Sequence, residues 1–159
     1  MLPTHLRSLA VAGLLALTAC GAAPAAPPPP AAHSGHGAGV GLYAVQSGPL
    51  GVVATDAQGH LLYRSDADSA DPPTSACTGD CTATWIPLVV TDGAQPELLG
   101  VDEALLGRLP RAEGDQLTLA GWPLYRHRDD TGGLADAGHH GADGTWFAIT
   151  PTGGKAAPA

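Results

Sequence analysis

The sequence predicts a mainly β fold: a small antiparallel sandwich or barrel built from two pseudo-symmetric repeats, with at most one short helix. Three observations carry this. Beyond residue 41 the apolar residues come in short stretches broken by Gly and Pro, without the long 3.6-residue period of helices. One pattern occurs twice: Gly59-His60-Leu61-Leu62-Tyr63, then Asp68, a Cys-containing loop and Trp85-Ile86-Pro87; and Gly121-Trp122-Pro123-Leu124-Tyr125, then Asp130, a Gly-rich loop and Trp146-Phe147-Ala148-Ile149. Tyr to Asp is 5 residues in both copies, and Tyr to Trp is 22 residues in the first and 21 in the second. An internal duplication is the simplest account. Helical character, the third observation, is confined to residues 102–109.

Taken in order, residues 42–45, 51–55 and 61–64 read as strands, with Ala57-Gln58-Gly59 turning between the last two. Residues 116–119 and 123–127 form a second hairpin about Ala120-Gly121, and 146–150 a strand that closes the second copy. In 102–109, Asp102 caps a helix and Pro110 stops it. The folded part spans 42–151, with repeat 1 at about 42–90 and repeat 2 at about 115–151, and residues 152–159 are expected to be a disordered tail.

The N-terminus supplies an address. His5 and Arg7 precede an apolar run over 9–17 that is too brief to span a bilayer and is built like a signal-peptide core. Leu17-Thr18-Ala19-Cys20 closes it, and this arrangement resembles the processing site of bacterial lipoprotein precursors. The resemblance implies that 1–19 are removed, that the Cys20 thiol becomes a diacylglyceryl thioether, and that the freed amine is often acylated too. Each buried methylene adds about 0.8 kcal/mol of membrane affinity, and two or more chains anchor stably where one is marginal. The expected location is extracytoplasmic, lipid-anchored to a bacterial membrane in the cell envelope. The alternative is an ordinary secretory signal with a chance cysteine, or an uncleaved N-terminal helix.

Residues 20–41 are rich in Ala, Pro and Gly, include Pro27-Pro28-Pro29-Pro30, and hold nothing large to bury, so they read as a disordered tether. In polyproline II geometry some twenty residues reach roughly 60 Å. His33 and His36 in this tether lack a fixed third ligand. The whole chain carries a formal charge of −8, and loss of Arg7 with the signal leaves six basic and fifteen acidic side chains. Such a surface repels phosphate, and its few basic residues are scattered, which excludes nucleic acid as a partner. The expected partners are the membrane, through the lipid, and an envelope protein or small ligand.

The two-copy Tyr-x4-Asp arrangement, with Cys77-Thr78-Gly79-Asp80-Cys81 leading to Trp85 and with Gly-Trp-Pro-Leu-Tyr in copy two, resembles the predicted bacterial lipoprotein family of tandem secreted repeats of unknown function. The likeness covers about residues 42–151. Where that family tends to carry Gly-Gln-Gly, this chain has Gly138-His139-His140-Gly141. The resemblance implies an envelope lipoprotein and no assigned reaction.

Assigning Cys20 to lipid leaves Cys77 and Cys81, four residues apart and outside the cytoplasm. A disulfide follows, stabilising by less than the roughly 3 kcal/mol of a fifteen-residue loop and fixing the approach to Trp85. The alternative is a redox or copper-binding Cys-x3-Cys, since soft thiolates suit Cu(I). His139 and His140 occupy in copy two the loop that the cysteines occupy in copy one, so a mixed site of Cys77, Cys81, His139 and His140 is the metal alternative, and copper its ion; otherwise no cofactor is expected. Against it, adjacent histidines point apart in an extended chain. His60 and His127 read as polar strand residues. Asp66, Asp68, Asp71, Asp129, Asp130 and Asp136 invite a calcium reading, but none matches the twelve-residue loop with its terminal Glu. Recurrence in both halves assigns Tyr63, Asp68, Trp85, Tyr125, Asp130 and Trp146 to the architecture of the fold. No Gly-x-Ser-x-Gly, His-Glu-x-x-His or phosphate-binding loop is present, and no catalytic residue is named. The leading expectation is a non-catalytic binding or envelope-structural domain on a lipid anchor; the other is a redox or copper-handling lipoprotein.

Overall fold

Leu61-Leu62-Tyr63 and Pro123-Leu124-Tyr125 leave no polar residue to face water, so strands carrying them must be covered on both faces. The computed structural model, which describes residues 40–91 and 93–158, covers both: Leu62, Tyr63, Leu124 and Tyr125 are fully buried. The signal at 1–19, Cys20 and the tether as far as residue 39, with His33 and His36, lie outside the described residues.

Repeat 1 contains β1 (Gly41–Ser47), β2 (Gly51–Thr55), β3 (Tyr63–Ser65), β4 (Ser69–Ala70), β5 (Pro73–Thr74), a short helix α1 (Cys81–Thr84), β6 (Trp85–Pro87) and β7 (Val89–Val90). A connection carries β8 (Glu97–Leu99) and a 3-10 turn (Glu103–Leu105). Repeat 2 follows with β9 (Leu106–Arg111), β10 (Gly114–Leu119), β11 (Trp122–Pro123), β12 (Tyr125–His127) and β13 (Trp146–Ala148). The sheets are β2-β1-β8, β11-β10-β7 with β9 on the other edge of β10, the pair β4-β5, and a central β13-β3-β12-β6. They stack in sandwich-like fashion and none closes into a barrel. Pairing is antiparallel except β1 with β8, which is parallel.

The central sheet exchanges strands between the repeats. Strand β6 of repeat 1 lies on β12 of repeat 2, with Trp85 opposite His127, while β13 of repeat 2 lies on β3 of repeat 1, with Trp146 opposite Ser65. Strands β3 and β12 meet at Tyr63 and Tyr125, on either side of the pseudo-twofold axis. Beside each tyrosine three backbone hydrogen bonds close a triangle. Ala54 N–H donates to Ile149 (2.8 Å), Ile149 to Leu62 (2.9 Å) and Leu62 to Ala54 (3.0 Å). In the other half Leu117 donates to Leu88 (2.8 Å), Leu88 to Leu124 (2.9 Å) and Leu124 to Leu117 (2.9 Å). In each triangle one corner comes from the other repeat.

Alternation along these strands separates two cores. Ala54, Leu62, Leu124 and Ile149 face an aliphatic cluster with Leu42 and Leu117, whereas Val53, Tyr63, Tyr125 and Ala148 face an aromatic one with Trp85 and Trp146. Among the described residues no helix is long and apolar enough to cross a membrane.

Three expectations need correction. Asp102 does cap, accepting from Ala104 N–H (2.9 Å), but the helix over 102–109 is only the 3-10 turn, and Leu106–Arg111 is a strand. Six consecutive pairs with β10 outweigh the local preference, and Pro110 fits because β9 is an edge strand. Residues 61–64 and 123–127 are not continuous strands either: Leu61 makes a single bridge to Thr55, and β11 stops at Pro123 before the chain passes into the central sheet. The hairpin turn itself is as expected, with positive φ at Ala120 (49°) and Gly121 (83°). Finally, the described part of 152–159 is no disordered tail. It covers the open edge of β13, with Ala156 N–H donating to Ala148 (2.7 Å) and the Gly153 carbonyl accepting from the Arg64 guanidinium (3.4 Å).

Candidate functional site

The duplicated side chains converge on one centre. The rings of Trp85 and Trp146 stack across the pseudo-twofold axis, 4.0 Å apart and 6° from parallel. Tyr63 meets Trp85 edge-on at 5.2 Å and Tyr125 meets Trp146 edge-on at 5.0 Å. Edge-on contact sets the positive ring edge against the negative face and adds about 0.5–1.5 kcal/mol to what burial supplies. The short helix that leads into Trp85 is held at its start by the Cys77–Cys81 disulfide.

Each tyrosine then reaches the aspartate of the other copy. Tyr63 donates to Asp130 Oδ2 (2.8 Å), and Tyr125 to Asp68 Oδ2 (2.8 Å). Burial, reinforced by the Asp130 carboxylate, holds the Tyr63 hydroxyl far above its ordinary range, and burial pushes Tyr125 up to about 12. Burial also raises Asp68, opposed by its hydrogen bonds. A tyrosine raised in the fold favours folding fully below its unfolded value of 10.0, and that contribution is lost as pH rises through the folded value. Alkaline titration is therefore expected to show the two repeat tyrosines ionising only together with unfolding, read as tyrosinate absorbance rising in step with loss of β circular dichroism; tyrosinate formed in a still-folded domain by Tyr63 and Tyr125 would contradict it.

Around this symmetric centre the two halves differ. The second oxygen of Asp68 accepts from Ala76 N–H (2.8 Å), and Arg111 binds the Ser75 hydroxyl and the Cys77 carbonyl (3.3 Å) beside it. In the other half Oδ1 of Asp130 faces His139 Nε2 at 3.5 Å. His139 stacks on His127, ring centroids 3.4 Å apart, and its backbone N–H donates to the Tyr63 hydroxyl (3.0 Å). Burial, then repulsion from His139, holds His127 below its ordinary value, which favours the neutral ring. Gly138, at φ 52°, is the one residue type that fits here, because a Cβ would run into the Tyr63 hydroxyl. Next to the cluster opens a cavity of about 220 Å3 bordered by Asp129, Asp130, Asp136, Gly138 and His139.

The structure thus distributes the sequence candidates as follows. The sulfurs of Cys77 and Cys81 are bonded to each other and offer no thiolate in this state. His140 turns away from them: its Nδ1 accepts from Ala148 N–H (3.3 Å), its ring packs on Phe147, and burial lowers its pKa. The ligand-bearing group that does converge is His127, Asp130 and His139, whose donor atoms lie within 4.8 Å of one another. Sequence reasoning missed His127 in this role. The signal was the divergence itself, since His127 stands where copy one has Ser65, opposite the equivalent tryptophan. Reasoning also missed Asp56, whose 4 % exposed side chain pairs with His60 (2.8 Å) and Arg126 (3.2 Å). Asp66 pairs with Arg64 and Lys155.

A duplicated β domain, its halves interlocked by exchanged strands and reciprocal Tyr–Asp pairs, is the class that this fold and centre define. Residues 44–89, from within β1 to the start of β7, match the model of a family described as a secreted repeat of unknown function. That is the repeat family the sequence resembles, and the secreted character of that family points to an extracytoplasmic location. No curated protein and no solved structure matches the chain.

Proposed function

We propose that this chain is a lipid-anchored lipoprotein of the bacterial envelope whose duplicated domain is a rigid, non-catalytic module that binds an envelope protein or a small ligand. One observation carries the non-catalytic reading: the six side chains common to both copies are spent on one another, as two crossed Tyr–Asp pairs and one stacked Trp pair. A carboxylate that accepts from a buried tyrosine is a weakened base, and burial holds both tyrosine hydroxyls protonated well above neutral pH. What the centre supplies is rigidity, which lowers the ordering cost of binding at its surface.

The anchor rests on Leu17-Thr18-Ala19-Cys20, and the Ala/Pro/Gly-rich segment after it sets the distance to the membrane. In a bacterial host fed a labelled fatty acid such as palmitate, the unaltered chain is expected to take up label and partition into detergent, and Cys20→Ser to do neither. Label retained by Cys20→Ser would overturn the anchor while leaving the domain reading intact.

A further inference from the structure

The duplication is its own control for the histidine cluster. Asp68 and Asp130 occupy equivalent positions and accept from equivalent tyrosines, so any difference between their remaining contacts is a difference in what each half holds. In repeat 1 the remaining carboxylate oxygen takes a backbone N–H at 2.8 Å, and Arg111 sits against the same loop. In repeat 2 the side chain of Asp130 is only 8 % exposed, yet among the described residues its Oδ1 accepts no hydrogen bond and instead faces His139 Nε2 at 3.5 Å, with His127 beside it. Asp130 borders the adjoining cavity, so an ion entering there meets a carboxylate oxygen that no protein donor occupies.

We propose that His127, Asp130 and His139 bind one divalent first-row transition ion, Zn2+ or Cu2+, through a nitrogen of each imidazole and Oδ1 of the carboxylate. The donor atoms lie within 4.8 Å of one another. Tetrahedral donors at about 2.05 Å from zinc stand about 3.3 Å apart, so the set must close by roughly 1.5 Å. That closure slides the His139 ring off its stack on His127, toward the side on which 37 % of its side chain is exposed. Asp130 is already oriented: Tyr63 holds Oδ2 at 2.8 Å and leaves Oδ1 toward the rings, the kind of outer bond that fixes metal ligands. The adjoining cavity of about 220 Å3 leaves room for water to complete the coordination, and its rim carries Asp129 and Asp136. Two nitrogens and an oxygen suit divalent zinc or copper, with copper the tighter, whereas Cu(I) prefers the soft sulfurs that the disulfide has removed. The site does not depend on the lipid anchor or on the binding role proposed above.

The test uses the full chain, purified natively, stripped with chelator and titrated with Zn2+ alone and with Cu2+ alone. One equivalent of each is expected to bind, the His127 and His139 ring signals to shift first in NMR spectra of the unaltered chain, and bound Cu2+ to show coupling to two nitrogens in its electron paramagnetic resonance spectrum. His127→Gln and His139→Gln are each expected to weaken binding about tenfold or more. The double variant His33→Gln/His36→Gln is expected to change nothing. Absence of a stoichiometric site, earlier shifts at other histidines, unaltered affinity in folded His127→Gln and His139→Gln, or loss of binding in the tether variant would each overturn the proposal.

Discussion

Trp85→Ala is expected to destabilise the domain by about 3–5 kcal/mol, measured as a shift of the chemical unfolding midpoint at unchanged slope. Trp85 is 6 % exposed and touches Trp146, Tyr63 and His127 at ring-centroid distances of 4.0, 5.2 and 4.7 Å. Removing it opens a void between layers that come from different repeats, and the surrounding strands are too constrained by their exchanged pairing to collapse into it. Trp146→Ala is expected to cost a similar amount, because it is the other half of the same stack. A loss below about 1 kcal/mol for either would mean that the stack is not the keystone of the fold.

The second large effect lies in the tyrosine–aspartate pairs. Asp68→Ala and Asp130→Ala are each expected to cost about 1–3 kcal/mol, because each removes the carboxylate to which a buried tyrosine hydroxyl donates: Tyr125 in the first case and Tyr63 in the second. Double-mutant cycles separate this from general damage. Tyr125→Phe combined with Asp68→Ala, and Tyr63→Phe combined with Asp130→Ala, are expected to show a coupling of about 1–2 kcal/mol. The combinations within one repeat, Tyr63→Phe with Asp68→Ala and Tyr125→Phe with Asp130→Ala, are expected to be additive to within about 0.5 kcal/mol. Coupling within the repeats and additivity between them would contradict the crossed arrangement.

That crossing marks the limit of what the residues alone reveal. The equal Tyr-to-Asp spacing is visible in the sequence, and so are the duplication, β2, the turn at Ala120-Gly121, and a Cys77–Cys81 pair able to bond. A spacing of five residues looks local, however, and nothing in it says that the partner of Tyr63 is Asp130 rather than Asp68. Only the register of β3 against β12 decides that, and register is a long-range property. The same cause hid strand β9: residues 102–109 carry a cap at Asp102 and a stop at Pro110 that suit a helix, and β10 supplies the competing partner from later in the chain. It hid the cluster too, because His127 and His139 are strand and loop residues that meet only when β12 is placed beside the loop before β13. Ser65 at the equivalent place in copy one was the available clue.

The exchange of β6 and β13 has a consequence for how the chain is made. A polypeptide emerging N-terminus first has all of repeat 1 available long before Trp146–Ala148 exists, yet β3 needs that last strand on one side and β12 on the other. Likewise the Ala54–Leu62–Ile149 triangle waits for Ile149. Contacts so distant in sequence are slow to form, on the millisecond-to-second scale of non-local β folds. The N-terminal half has no finished core of its own to close around, so repeat 1 stays open to threading until β13 and Ile149 have been delivered.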